Sequence, residues 1–322
     1  MANSSTSIAE FVLHCAVALE QKSLIIAVVS FIYITTFLGN TLVILVIISN
    51  HQLQTPMFFY IGALAAIDLV TCNTLIPRML TVMIFNFFPV PYGACILQIF
   101  VASHLQALLT LHLSLMAVDR YVAVVHPLQY PALVTNKTVL TGFVISNLIG
   151  AAIIIPLTIF ATELHFCQTN VLPYCICDFA TMVHISCTDD PKYLAYVSSC
   201  SFVLGVGPLV LILSSYSRIV QEALQISSVE GKKKVFSTCV THLLVVGTFY
   251  IPILLSYTLP GLGIPLSTEI YNTMDMIGNI IPPMMNPIIY SFRNNEIKSG
   301  IYKLFKAMKM SPDVGRTEKT QN

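Results

Sequence analysis

Hydrophobic residues in this chain come in long, almost uncharged runs separated by short polar punctuation, and the runs set the architecture. The first, Ser23 to Ile48, holds no charged side chain. At 1.5 Å of rise per residue it can cross a hydrocarbon core of ~30 Å as one helix. Six more follow: Met57 to Phe85, Cys95 to Arg120, Thr138 to Thr162, Tyr193 to Ser217, Val235 to Leu259 and Ile270 to Phe292. None alternates polar and apolar positions as a lipid-facing strand would, so the runs predict helices and exclude a barrel. The expected fold is an all-α membrane protein, a bundle of seven transmembrane helices. Beyond the last run the pattern changes. Between Asn294 and Met310, Ile297, Ile301, Leu304, Phe305 and Met308 fall on one helical face, with Lys298, Lys303, Lys306 and Lys309 elsewhere. A short basic amphipathic helix of this kind lies on the surface of the membrane lipids.

Polar residues within the runs mark where helices must meet. Asn40 follows Gly39 in the first run, and an amide in lipid needs a partner on a neighbouring helix. Asp68 lies inside the second run, Asp275 is the sole acid of the seventh, and Asp119 and Arg120 stand side by side where the third leaves the bilayer. Ionisable groups at such positions point to function. The plainer readings are a protonated Asp68 that ties helices together and an arginine that snorkels to the interface. Pro77 and Pro252 predict kinks in the second and sixth helices.

Composition agrees with the pattern. Of 322 residues, 56% are hydrophobic and 10% charged, against about 25% charged in soluble domains. Net charge is +1, which implies no nucleic acid or other polyanion as partner. The distribution of charge says more than its sum. With the N-terminus outside, the cytoplasmic segments collect every cation except Lys22, Arg78 and Lys192, so the positive-inside rule selects an outer N-terminus and a cytoplasmic C-terminus. Three regions follow: an extracellular tail (1–22), the bundle (23–292) and a cytoplasmic helix and tail (293–322). No basic stretch followed by an apolar core opens the chain, so the first helix is the expected insertion signal. Asn3 is a glycosylation sequon on the outer side, whereas the Asn136 sequon falls in the cytosol. The loop Glu163 to Lys192, also outside, carries Cys167, Cys175, Cys177 and Cys187.

Four segments carry a family resemblance: PMFFYIGALAAIDL (Pro56 to Leu69), MAVDRYVAVVHPLQY (Met116 to Tyr130), KKVFSTCVTHL (Lys233 to Leu243) and PPMMNPIIYSFRNNEIK (Pro282 to Lys298). In this order, within seven spans, they resemble the odorant receptors, a branch of the rhodopsin-like G-protein-coupled receptors. FYIP (Phe249 to Pro252) and PPMMNPIIY look more like the branch shared by fish and the older mammalian odorant receptors. The resemblance implies a receptor that binds a small, mostly apolar odorant within the bundle. It would activate a heterotrimeric G protein of the stimulatory, olfactory type and raise cAMP, at the plasma membrane and in the cilia of olfactory neurons. It implies no cofactor and no enzyme activity.

Carried over residue by residue, the same resemblance assigns roles. Arg120 would meet the G protein when active and pair with Asp119 when not, with Tyr121 beside them. Tyr216, Tyr290, His242, Tyr250 and the Asn286-Pro287 pair would belong to the activation machinery, Tyr250 standing where related receptors carry tryptophan. Asn40, Asp68 and Asn286 would form a polar network. Sodium binding there is put in doubt by Leu109, which replaces the glutamate usual in the family. Cys95–Cys177 and Cys167–Cys187 would be disulfides, with Cys175 a competitor for Cys177; Cys15, Cys72, Cys200 and Cys239 are expected to be buried thiols. Close spacing of His165 and Cys167 raises copper as an alternative, but paired cystines are favoured and no metal site is expected. Helix geometry plus resemblance place Ala102, Ser103, Gln106, Cys200, Ser201, Leu204, Ile253, Leu254, Tyr257, Met276 and Asn279 at the ligand. Ala102 stands where aminergic receptors anchor amines with an acid, which disfavours an amine.

Other classes fit less well. A transporter or channel would show repeats or several charges along a path, and a membrane enzyme would need a metal or nucleophile cluster. A peptide or lipid receptor would keep the same fold; the four segments argue against it, although they report on signalling more than on the pocket.

Overall fold

The computed structural model describes residues 9–15, 22–167, 169–188, 190–261 and 267–310. Helices α1 (Lys22–Ser49), α2 (Pro56–Phe85) and α3 (Tyr92–Val125) come first, and a one-turn α4 (Tyr130–Leu133) leads into α5 (Asn136–Glu163). After α6 (Phe179–Ile185) the fifth span is built in three pieces: α7 (Pro191–Ser201), a π-helical turn (Phe202–Val206) and α8 (Gly207–Gln225). Then come α9 (Val229–Gly261), α10 (Thr268–Arg293) and the amphipathic α11 (Asn295–Met310). Among the described residues, six helical stretches are long and apolar enough to cross a membrane. The seventh span, α10, is more polar and contains Pro282, Pro283 and Pro287. The fold is a seven-helix bundle. Phe31 and Leu148 are each 66% exposed, a surface that lipid accepts and water would not.

Several helices outrun their apolar stretches. α3 continues past Arg120 to Val125, α8 reaches Gln225, and α9 starts at Val229, ahead of the three lysines that precede the sixth run. Hydrophobicity marks the thickness of the bilayer, whereas backbone hydrogen bonding carries a helix on into water.

Packing of α1 on α10 shows how sequence dictates contact. Pro287 lacks an N–H, so the carbonyl of Pro283 has no helical donor. Asn40 supplies one from α1: its Nδ2 donates to Pro283 O and to Thr36 O, both at 2.9 Å. Gly39 permits the approach, since a Cβ there would lie 2.9 Å from Pro287 Cγ. α11 docks against the same helix, with Ile297 fully buried and Gly300 pressed on Val46.

At the opposite end a three-stranded sheet caps the bundle. Strand β1 (Glu10–Leu13) pairs antiparallel with β2 (Phe88–Pro91) and parallel with β3 (Val171–Leu172). Alternation in Glu10-Phe11-Val12-Leu13 turns Phe11 and Leu13 inward, and both are fully buried. Cys95–Cys177 and Cys167–Cys187 are bonded, and so are Cys15 and Cys175. The last bond corrects the expectation of a buried Cys15 thiol. The strand carries Cys15 into the lid beside Cys175, which is thereby a partner for the N-terminal segment instead of a competitor for Cys177. Cys72, Cys200 and Cys239 are free and buried. Asn3 and the tail from Ser311 lie outside the described residues.

Candidate functional site

Two polar layers and one cavity run down the bundle. Near the C-terminal end of α3, Arg120 donates from Nε to Asp119 Oδ2 at 2.8 Å, with a second bond from Nη2 to the same oxygen. Asp119 is 3% exposed, and its other oxygen accepts from the Tyr130 hydroxyl at 2.9 Å. The carboxylate is thus held from its own helix and from α4. Desolvation raises the Tyr130 phenol above its ordinary range, and the neighbouring Asp119 charge adds to that, so Tyr130 stays a donor. Tyr121 meets the His126 ring edge-on at 5.8 Å.

Deeper in, Asn286 donates from Nδ2 to Asp68 Oδ2 at 2.8 Å, joining α10 to α2. Asp68 and Asn286 are 1% and 2% exposed. Asn40, on α1, meets the α10 backbone one turn away, bonded to Pro283 and not to either of these side chains. Leu109 is buried in the main apolar core. The Tyr290 ring meets His242 edge-on at 6.2 Å, and the hydroxyls of Tyr216, Tyr250 and Tyr290 are buried without a protein partner. Such hydroxyls can form new bonds when helices shift. Among the described residues no cluster of three His, Cys, Asp or Glu groups could hold a metal ion.

Above these layers lies a cavity of about 390 Å³ between α3, the fifth span, α9, α10 and the lid. Ser103, Gln106, Cys200, Ser201, Leu204 and Asn279 line it, together with Tyr250. Ala102 and Met276 do not; they pack with Cys175 and Ile176 in a separate cluster against α1 and α2. The reason is rotation: at 3.6 residues per turn, Met276 points about 200° away from Met274 and Gly278, which do face the cavity. The side chains of Ile253, Leu254 and Tyr257 lie outside the description. Ala107, Thr110, Ile154, Leu157 and Phe249 complete much of the wall unforeseen. For Ala107 and Thr110 the signal was present, since both sit within one turn of Gln106. Asp178, Phe179 and Ala180 enter from the lid, immediately after Cys177 is fastened to Cys95. The Asp178 carboxylate accepts from Thr181 N at 3.2 Å and caps α6.

Fold, cavity and charge pair define a seven-helix membrane receptor of the G-protein-coupled type. The family model described as olfactory receptor matches residues 29–308. The chain is 32% identical to olfactory receptor 2AT4 of Homo sapiens over 88% of its own length and 86% of that protein. It is 32% identical to olfactory receptor 2A7 of Mus musculus over 96% and 99% respectively, and 29% identical to Homo sapiens olfactory receptor 52N2 over 96% and 97%. The chain belongs to the olfactory receptor family and is an odorant-sensing receptor, a multi-pass membrane protein.

Proposed function

We propose that this receptor holds a small, neutral or weakly polar odorant in the cavity between α3 and α10 and, with it bound, activates a stimulatory G protein of the olfactory type, raising cAMP. The cavity carries the reading. Its volume of about 390 Å³ suits a small molecule, its walls mix Ala107, Ile154, Leu157, Leu204 and Phe249 with a few polar groups, and Tyr250 offers a buried hydroxyl from its floor. Efficacy requires that the odorant bind the open arrangement more tightly than the closed one.

The closed arrangement is the one in which Asp119 and Tyr130 engage Arg120 and its partner carboxylate. Opening frees the guanidinium for the G protein, while Pro252 lets α9 bend and Tyr216 and Tyr290 find each other near the vacated space. Orientation rests on charge and chemistry: basic residues gather at the α11 end, and three cystines at the β-sheet end favour an oxidising exterior. In this orientation Asn3 is open to glycosylation, α11 rests on the inner lipid surface, and the receptor works at the plasma membrane, in cilia of olfactory neurons.

The test is a cAMP assay of the surface-verified receptor against an odorant panel, beside Arg120→Ala. A response in the parent that Arg120→Ala loses is expected. No response from protein shown to be at the surface, with Arg120→Ala behaving identically, contradicts the reading.

A further inference from the structure

We propose that Arg78 and Gln98 form an anion-binding site beneath the lid, separate from the odorant cavity, that takes a small monoanion: a halide ion or the carboxylate of a small acid. Arg78 lies on α2, roughly two turns short of its outer end at Phe85. A lone guanidinium at that depth calls for a partner. The ion pairs of the described residues are Arg120 with Asp119 and Lys192 with Glu163 and Asp190; Arg78 takes part in none.

Its side chain turns into the bundle and not toward lipid. Arg78 Nη1 donates to Gln98 Oε1 across the gap to α3 at 3.1 Å, and the same oxygen accepts from the backbone N–H of Cys177 at 3.4 Å. Those two donors fix the orientation of the Gln98 amide, because the flipped amide would set N–H against N–H. Its Nε2 must therefore point elsewhere, and Nε2 has no hydrogen-bond partner in the protein although Gln98 is only 4% exposed.

Donors outnumber acceptors here. A guanidinium and a backbone N–H share a single oxygen, and the amide Nε2 beside it meets none. The buried Nε2 requires an acceptor, and beside the half-buried Arg78 guanidinium a negative acceptor suits best, since charge-assisted bonds are the stronger ones. The surroundings favour a compact ion over a long ligand: Cys95 and Cys177, which fix the local backbone, are 0% and 1% exposed. Neither Arg78 nor Gln98 lines the odorant cavity, so the site stands apart from the proposed ligand site.

Thermal unfolding of the purified full-length receptor tests this, with sodium chloride or sodium acetate replacing sodium sulfate at constant ionic strength. The melting temperature of the parent should rise saturably with chloride, acetate or both, and Arg78→Gln should lose that rise. Saturation by chloride alone identifies a free halide as the occupant; saturation by acetate alone identifies a carboxylate-bearing ligand. Gln98→Glu, which sets a carboxylate beside Arg78, should show no saturable response to either anion. The absence of a saturable anion effect in the parent, or an equal effect in Arg78→Gln, overturns the proposal. Should Arg78→Gln fail to fold, Gln98→Glu decides: a saturable response as large as the parent's overturns it.

Discussion

The hydroxyl of Tyr130, on a one-turn helix outside the bundle, donates to Asp119 at 2.9 Å and so shares with Arg120 the restraint on a carboxylate that is 3% exposed. On the proposed function, a residue of the link between α3 and α5 thereby takes part in holding the third helix closed. Tyr130→Phe removes this bond alone. A hydrogen bond to a charged group contributes about 1.5–3 kcal/mol, so basal cAMP should rise roughly tenfold or more if the bond is made only in the closed state. The check is odorant-free cAMP, normalised to surface receptor.

The bond between Cys15 and Cys175 makes a second prediction. Unfolded in denaturant without reductant, the parent should give no maleimide labelling of Cys175, whereas Cys15→Ser should present one free thiol there, since Cys175 is 3% exposed in the folded protein. The double variant Cys15→Ser, Cys175→Ser should fold but lose stability, by about 2–5 kcal/mol if the bond behaves as in small secreted domains. Mass mapping of the labelled peptide gives the answer, and labelling of Cys175 in the unfolded, unreduced parent would contradict the bond.

Asn286→Ala should destabilise the bundle. It leaves the Asp68 carboxyl, 1% exposed, without the donor that meets it at 2.8 Å. An orphaned buried group costs about 1–3 kcal/mol, more if charged. A lower melting temperature in detergent and fewer receptors at the surface are expected, and Asn286→Asp, which sets two acids together, should do no better.

The path from sequence to fold was clear where a single physical demand governed it. Lipid requires long apolar helices, so the spans could be read from runs of residues without charge, and Asn40 announced its need for a partner across the bundle. Its actual partner was less evident, because seeing it depends on knowing that Pro287 releases the carbonyl of Pro283 in register with α1. The cap was hidden for a different reason. Strand β1 is four residues long and pairs with segments near positions 90 and 171, a long-range match that no local pattern encodes. One signal was available: the topology expected from the charge distribution puts Cys15 and Cys175 on one side, each left over once the other four are paired. The cavity was half legible. Positions 103, 106, 200, 201 and 204, chosen from helical faces together with the family resemblance, line it, while Met276 is turned away because its rotation about α10 is set by packing with Ile280 and Cys72.

Odorant occupancy of the cavity is tested most directly at Leu204, a wall residue in the π-helical turn of the fifth span. Leu204→Trp pushes a larger ring into the space of about 390 Å³ without touching the Arg120 pair or the Asp68 layer. An odorant dose–response in cAMP, at matched surface expression and basal signal, should shift to about tenfold or higher concentrations, the equivalent of ~1.4 kcal/mol or more. A curve superimposable on that of the parent would contradict the account.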